Sequence, residues 1–301
     1  MEIFIIVCAT IFLIAVLYII LGIVSSVKIN HRTKNTCAQL HRAEWRENIP
    51  DKLINPPCKM MYMKSKLGYD LAARFFPVKD RKSHKYMILM HGYNNCSITC
   101  GKYALLFNKR GINCLALDQR RAGESKGRGI TFGYFERSDT EQWIEEIYKM
   151  DPEAEIGMFG ISLGAATAIL VSSLRNDIKY VISYCSFSSF KDIINAQGAV
   201  MYPKFYKILY PAIVIGGFIT TGARLDMVDI EAAIKNVTCP IMIMHSKTDA
   251  FTPIDQAYKL LKAKPEAVFR TFEKAVHSRS YSKQPEVFTK YVYDFLESVG
   301  Y

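Results

Sequence analysis

The chain has 301 residues and is half hydrophobic, enough to build one large core, which excludes a disordered chain. It shows no low-complexity tract or internal repeat, which excludes a solenoid. A formal net charge of +11 favours anionic partners, but the basic residues are dispersed with no recognition motif. That sets nucleic acid aside and leaves an acidic membrane surface.

Residues 3–24 read IFIIVCATIFLIAVLYIILGIV and carry no charge. At about 1.5 Å of rise per residue, this run spans a hydrocarbon core of about 30 Å. A cleaved signal peptide has a positive start, a shorter apolar stretch and a small-residue cleavage site. Here the run is long, and Glu2 is the only side-chain charge ahead of it. Residues 1–27 are therefore expected to form a retained transmembrane anchor. Lys28, Arg32, Lys34 and Arg42 follow it, with His31 and His41 among them, and no Lys or Arg precedes it. The positive-inside rule then places the remainder in the cytoplasm, as a single-pass protein of the cell membrane. The same basic stretch suits anionic headgroups. Residues 28–57 end in Asn55-Pro56-Pro57 and read as a basic linker or short helix leading to a soluble domain at 58–301.

Within that domain, KMMYMKS and DLAARFF flank Gly68-Tyr69, the pattern of a hairpin. Short apolar runs then alternate with helical segments. Strands are expected at 86–90, 113–117, 155–159, 180–184, 240–244 and 268–272. Helices are expected at 102–109, 136–150, 163–174, 253–262 and 285–299. This alternation implies a mostly parallel, doubly wound sheet with helices on both faces. Reactive groups then gather beyond the carboxyl ends of the strands.

Three residues meet that rule. Ser162 follows the strand at 155–159, within Gly160-Ile161-Ser162-Leu163-Gly164. A chain of this length shows G-x-S-x-G by chance roughly one time in ten, so the pentapeptide decides nothing alone. Asp249 and His277 each lie just beyond a later strand end, in the order Ser, Asp, His expected of a nucleophile-elbow hydrolase. Ser162 would be the nucleophile, on a sharp strand-to-helix turn for which Gly160 and Gly164 leave room. His277 would accept its proton, and Asp249 would orient the imidazole. The backbone N–H groups of Leu163 and of Tyr93, the latter after His91-Gly92, would form the oxyanion hole. Taken singly, Asp249 reads as a turn or N-cap residue and His277 as a surface one; their joint placement decides. Asp118 is the main rival acid and is expected to hold its own loop instead, while Asp226 and Asp229 are distant alternatives. His91 is expected to be structural, and His245 comes too early in the chain for the usual base.

The blocks HGYNN, DQRRAGES, ITFGYFERSDTEQWI, GISLGAAT, HSKTDAFTP and AVHSRSYSKQPEVFTKYVYDFL resemble successive blocks of the α/β-hydrolase superfamily. They are most like bacterial membrane-anchored serine hydrolases of the serine aminopeptidase and acyl-hydrolase branches. The resemblance covers roughly residues 58–300. It implies the α/β-hydrolase fold, with Ser162, Asp249 and His277 as catalytic residues and Tyr93 and Leu163 as oxyanion donors. Two departures are visible: Arg120 is followed by Arg121-Ala122-Gly123 where the family often has Gly-His-Gly, and His245-Ser246 stands where it often has His-Gly.

Residues 188–237 are too long for a plain crossover. Their apolar part, 208–219, is broken by Pro211 and Gly216-Gly217 and is too short to span a bilayer. A helical lid is expected, with an ordinary buried helix pair as the alternative. An apolar lid beside a membrane anchor points to a carboxylic ester that is hydrophobic or lipid-like, cleaved through an acyl-enzyme. Peptide or amide hydrolysis by the same residues stays open, and a non-catalytic membrane-bound scaffold is the rival of another class. No phosphate loop, dinucleotide fingerprint or metal cluster is present in the sequence, so neither cofactor nor metal is expected. Eight cysteines are scattered and read as small hydrophobes, Cys96 and Cys100 included, although a disulfide or metal pair there is conceivable.

Overall fold

The computed structural model describes residues 1–301 apart from 32, 33 and 81. Arg32 of the basic flank thus lies outside the described residues. The chain opens with α1 (Glu2–Asn30), α2 (Cys37–Arg46) and α3 (Asp51–Ile54). The hairpin β1 (Lys59–Lys64) and β2 (Asp70–Phe76) follows. Then come β3 (Lys85–Met90), α4 (Gly101–Asn108), β4 (Asn113–Asp118), α5 (Glu136–Met150), β5 (Glu155–Ile161), α6 (Leu163–Ser172) and β6 (Ile178–Tyr184). The segment α7 (Phe190–Met201), α8 (Tyr206–Thr221) and α9 (Ile230–Ile234) leads to β7 (Ile241–Ser246), α10 (Asp255–Ala263), β8 (Val268–Phe272), α11 (Ser280–Lys283) and α12 (Pro285–Ser298).

The eight strands form one sheet in the order β1-β2-β4-β3-β5-β6-β7-β8. The β1–β2 and β2–β4 pairs are antiparallel, and the rest are parallel. Side chains alternate between the faces with the two-residue period of a strand. Ile88, Leu115 and Met158 pack beneath α5 and α6, while Met87, Leu89, Cys114 and Phe159 pack beneath α4 and α12. Burial on both faces explains why these strands read as continuous apolar runs. The central β3 and β5 put their carboxyl ends at the same edge.

The N-terminal boundaries depart from expectation. α1 passes residue 27 and runs to Asn30, with Gly22, Ser26 and Asn30 buried. Its end is tied into the domain: Ile130 N–H donates to Asn30 O at 2.8 Å, and Tyr93 OH to Ile29 O at 2.6 Å. Residues 28–57, expected as a basic linker or short helix, hold α2 and α3 packed on the domain. Thr36 caps α2 reciprocally with Gln39, and Leu40, Glu44 and Ile54 are buried. Glu44 pairs with the buried Lys102 of α4 and lies 3.4 Å from Arg279. Buried charges persist only when paired, so this trio fixes α2 to the domain.

The expected break at Pro211 is also absent. α8 continues through Pro211 and through Gly216-Gly217, because its length is held against α1. Tertiary packing outweighs the lost hydrogen bond and the low propensity of glycine.

Candidate active site

Ser162 stands between β5 and α6 with φ 55° and ψ −111°, a positive-φ conformation that a serine adopts only under constraint. The constraint is visible on both sides. Ser162 N–H donates to Tyr184 O at 2.8 Å, and its carbonyl accepts from Ala166 N–H at 3.0 Å. A Cβ on Gly160 would fall 2.2 Å from Gly164 O, and one on Gly164 would fall 2.2 Å from Met90 O. The turn therefore fits only with glycine at both places. Leu163 is the first residue of α6, where helix N–H groups have no partner within the helix.

The loop after β3 passes over this turn: a Cβ on Gly92 would lie 3.5 Å from Ser162 Cβ. His91, beneath it, is buried and holds the loop. Its Nδ1–H donates to Gly92 O at 2.8 Å, and its Nε2 accepts from Gln119 N–H at 3.1 Å. Burial pushes its pKa below the ordinary imidazole value and keeps it neutral, as that bonding requires.

Asp249 follows β7, and both carboxylate oxygens are engaged. Oδ1 accepts from the N–H groups of Phe251 and Thr252 at 2.9 and 2.8 Å, and Oδ2 accepts from His277 Nδ1 at 2.6 Å. His277, after β8, is partly open, and the Phe251 ring lies 4.9 Å from its own. Ser162 and His277 line one cavity of about 210 Å³ with Gly92, Tyr93, Asn95 and Phe251. All five expected site residues thus lie at one edge of the sheet, around or directly behind this cavity.

The rival groups have other partners. Asp118 Oδ1 accepts from Ser97 N–H and Oδ2 from Glu124 N–H, at 2.8 and 2.9 Å, bracing the 119–125 loop. There Arg121 takes φ 59°, the place where the family pattern has glycine. His245 Nε2 donates to Thr252 O at 2.7 Å and lies 3.6 Å from Asp249 Oδ2. Burial pushes its pKa down, so it backs Asp249 as a neutral ring. Cys185, Asp249 and His277 offer ligand atoms within 4.8 Å of one another, but burial raises the Cys185 thiol well above its usual range, which disfavours a metal there. Cys96 and Cys100 are buried and not joined by a disulfide.

Three contributors escape the sequence. Ser246, the second departure from the family pattern, donates its hydroxyl to Ala275 O and so braces the loop that carries His277. Phe251 reads only as one apolar residue after Asp249, yet it covers the imidazole. Gln197 of α7 donates to Phe251 O at 2.6 Å and links the 188–237 segment to that cover. Only Ser246 left a signal, its place in a motif usually occupied by glycine.

Comparison with known proteins agrees with the fold. Residues 81–214 match the family model described as serine aminopeptidase, S33. The chain is 28% identical over 245 residues to the uncharacterized protein YqkD of Bacillus subtilis, covering 78% of each chain. Among solved structures, it is similar to the Pyrococcus furiosus esterase Pf2001, with a TM-score of 0.66 and 20% identity, over 84% of this chain and 96% of that one. It is also similar to the acylaminoacyl peptidase of Pyrococcus horikoshii, with a TM-score of 0.61 and 19% identity, over 80% of this chain and 41% of that one.

Proposed function

We propose that the chain, which has the α/β-hydrolase fold, is a membrane-anchored serine hydrolase that cleaves carboxylic esters through an acyl-enzyme. One observation carries the reading: the Asp249–His277 hydrogen bond of 2.6 Å opens onto the cavity that also holds Ser162 in its strained turn. Asp249 keeps the proton on Nδ1 and leaves Nε2 of His277 as the base. His277 takes the Ser162 Oγ proton as Oγ attacks the ester carbonyl, and then delivers that proton to the departing alkoxide. Water, deprotonated by the same imidazole, releases the acyl group as the acid and restores Ser162. The N–H groups of Tyr93 and Leu163 stabilise the oxyanion at both steps, and that of Leu163 is assisted by the α6 dipole.

The test is labelling with a fluorophosphonate probe. The native chain takes the label, and Ser162→Ala does not. Equal labelling of both removes Ser162 as nucleophile; labelling of neither favours the scaffold reading. Acyl preference is expected to extend well beyond acetate in a series of nitrophenyl esters, consistent with the apolar 188–237 segment. Peptide or amide hydrolysis remains the second reading, supported by the family description and the peptidase neighbour. Faster turnover of aminoacyl nitroanilides than of matched esters would favour it.

Helix α1 supports the anchor, being charge-free from residue 3 to residue 24. The basic flank supports a cytoplasmic catalytic domain. A topology reporter fused after Tyr301 that reads outside would overturn that side.

A further inference from the structure

Helices α1 and α8 run parallel and in register. Tyr18 OH donates to Ile208 O at 2.5 Å, and Ser26 Oγ lies 2.9 Å from Thr220 Oγ1. Between these bonds the backbones approach as closely as glycine allows. A Cβ on Gly22 would fall 2.1 Å from Ala212 O, and one on Gly216 would fall 2.2 Å from Gly22 O. The contacts step by four along both helices, with Tyr18, Gly22 and Ser26 against Ile208, Ala212, Gly216 and Thr220. This is the small-residue packing by which helices associate in lipid.

A parallel register gives each residue of α8 a level on α1. The apolar run of α1 ends at Val24. Ile208 is level with Tyr18, about six residues further in, which at 1.5 Å per residue is about 9 Å. When the run fills a hydrocarbon core of about 30 Å, the first turns of α8 share the leaflet with α1. The outward side chains there suit it: Phe205, Ile208, Ile215, Phe218 and Ile219 are exposed. Between Asp192 and Arg224 the only charges are Lys204 and Lys207.

An aromatic row leads inward from the same helix. Tyr210 lies 6.2 Å from Phe190, Phe190 lies 5.0 Å from Phe132, and Phe132 stacks on Tyr93 at 5.7 Å, at the catalytic cavity.

We infer that the exposed face of α8, from Phe205 to Ile215, lies in the acyl chains of the leaflet adjoining the catalytic domain, and that an acyl ester reaches the site from that leaflet along this row. The inference rests on α1 spanning the bilayer and on the hydrolase reading.

The test uses the full chain in nanodiscs of phosphatidylglycerol and phosphatidylethanolamine containing a phospholipid with a diazirine in its acyl chain. After irradiation and trypsin digestion, mass spectrometry is expected to find label in peptides 1–28 and 208–224. Label in 1–28 alone overturns the inference and leaves the anchor standing; label in neither overturns both. The Ile208→Glu variant is expected to lose the label in 208–224. It should also turn over a nanodisc-embedded diacyl ester about tenfold more slowly, because a charge in the leaflet is expelled, while soluble nitrophenyl butyrate is unaffected. Equal loss on both substrates overturns the leaflet route. Label in 208–224 with no hydrolysis of either ester by the native chain overturns the hydrolase reading and the route, while the position of α8 in the leaflet stands.

Discussion

At Asp249 a single substitution separates orientation from charge. With asparagine in its place, an oxygen would remain for the Phe251 and Thr252 N–H groups, which hold Oδ1 at 2.9 and 2.8 Å. The new amide would then donate to His277 Nδ1, so the imidazole proton would move to Nε2 and the base would face the cavity already protonated. Asp249→Asn is expected to lower kcat on nitrophenyl butyrate by about 10³–10⁴-fold. The thermal midpoint should change little, and a loss below tenfold would remove Asp249 from the proposed triad. His277 and Asp249 were legible because their order along the chain, beyond successive strand ends, is itself a topological signal. Phe251 was not, because a ring that covers another in space leaves no mark on spacing.

Among the elements, the strands at 86–90, 113–117, 155–159 and 268–272 were readable within a residue or two, since a strand buried on both faces must be apolar throughout. The junction of β5 with α6 depends on how closely β3 approaches. A Cβ at Gly164 would meet the Met90 carbonyl, which is backbone and cannot rotate away. Met90 in turn leads into His91-Gly92-Tyr93, so the same collision displaces the loop over Ser162. Gly164→Ala is expected to cost about 3 kcal/mol, the upper part of the overpacking range. It should lower the urea midpoint at unchanged slope and depress turnover; an unchanged midpoint would show that the backbone yields. Element α8 shows the limit of such reading. Pro211 and Gly216-Gly217 are helix breakers by propensity, and only the backbone of α1 lying against them makes the helix continuous.

For the whole molecule, the N-terminal segment is part of the folded body as well as the proposed anchor. Ile29 and Asn30 accept from Tyr93 OH and Ile130 N–H, and Ser26 reaches Thr220, while Ile3, Phe4 and Phe12 stay exposed. A chain starting at residue 17 should therefore keep the thermal midpoint of the full chain in the same detergent. One starting at residue 31 forfeits these bonds and the α8 contact. Each bond is worth about 1 kcal/mol, and the midpoint should fall by about 5–10 °C. Equal midpoints for the two truncations would show that α1 is only a tether. The sequence by itself determined the α/β alternation, the charge-free run of the first helix and the order of Ser162, Asp249 and His277, because periodicity, length and chain order are one-dimensional properties. The tertiary structure alone decided that α1 and α8 lie parallel, that α2 closes against Lys102 and Arg279, and that Phe251 covers His277. Those pairings join residues far apart in the chain, through close contacts and hydrogen bonds that have no local pattern.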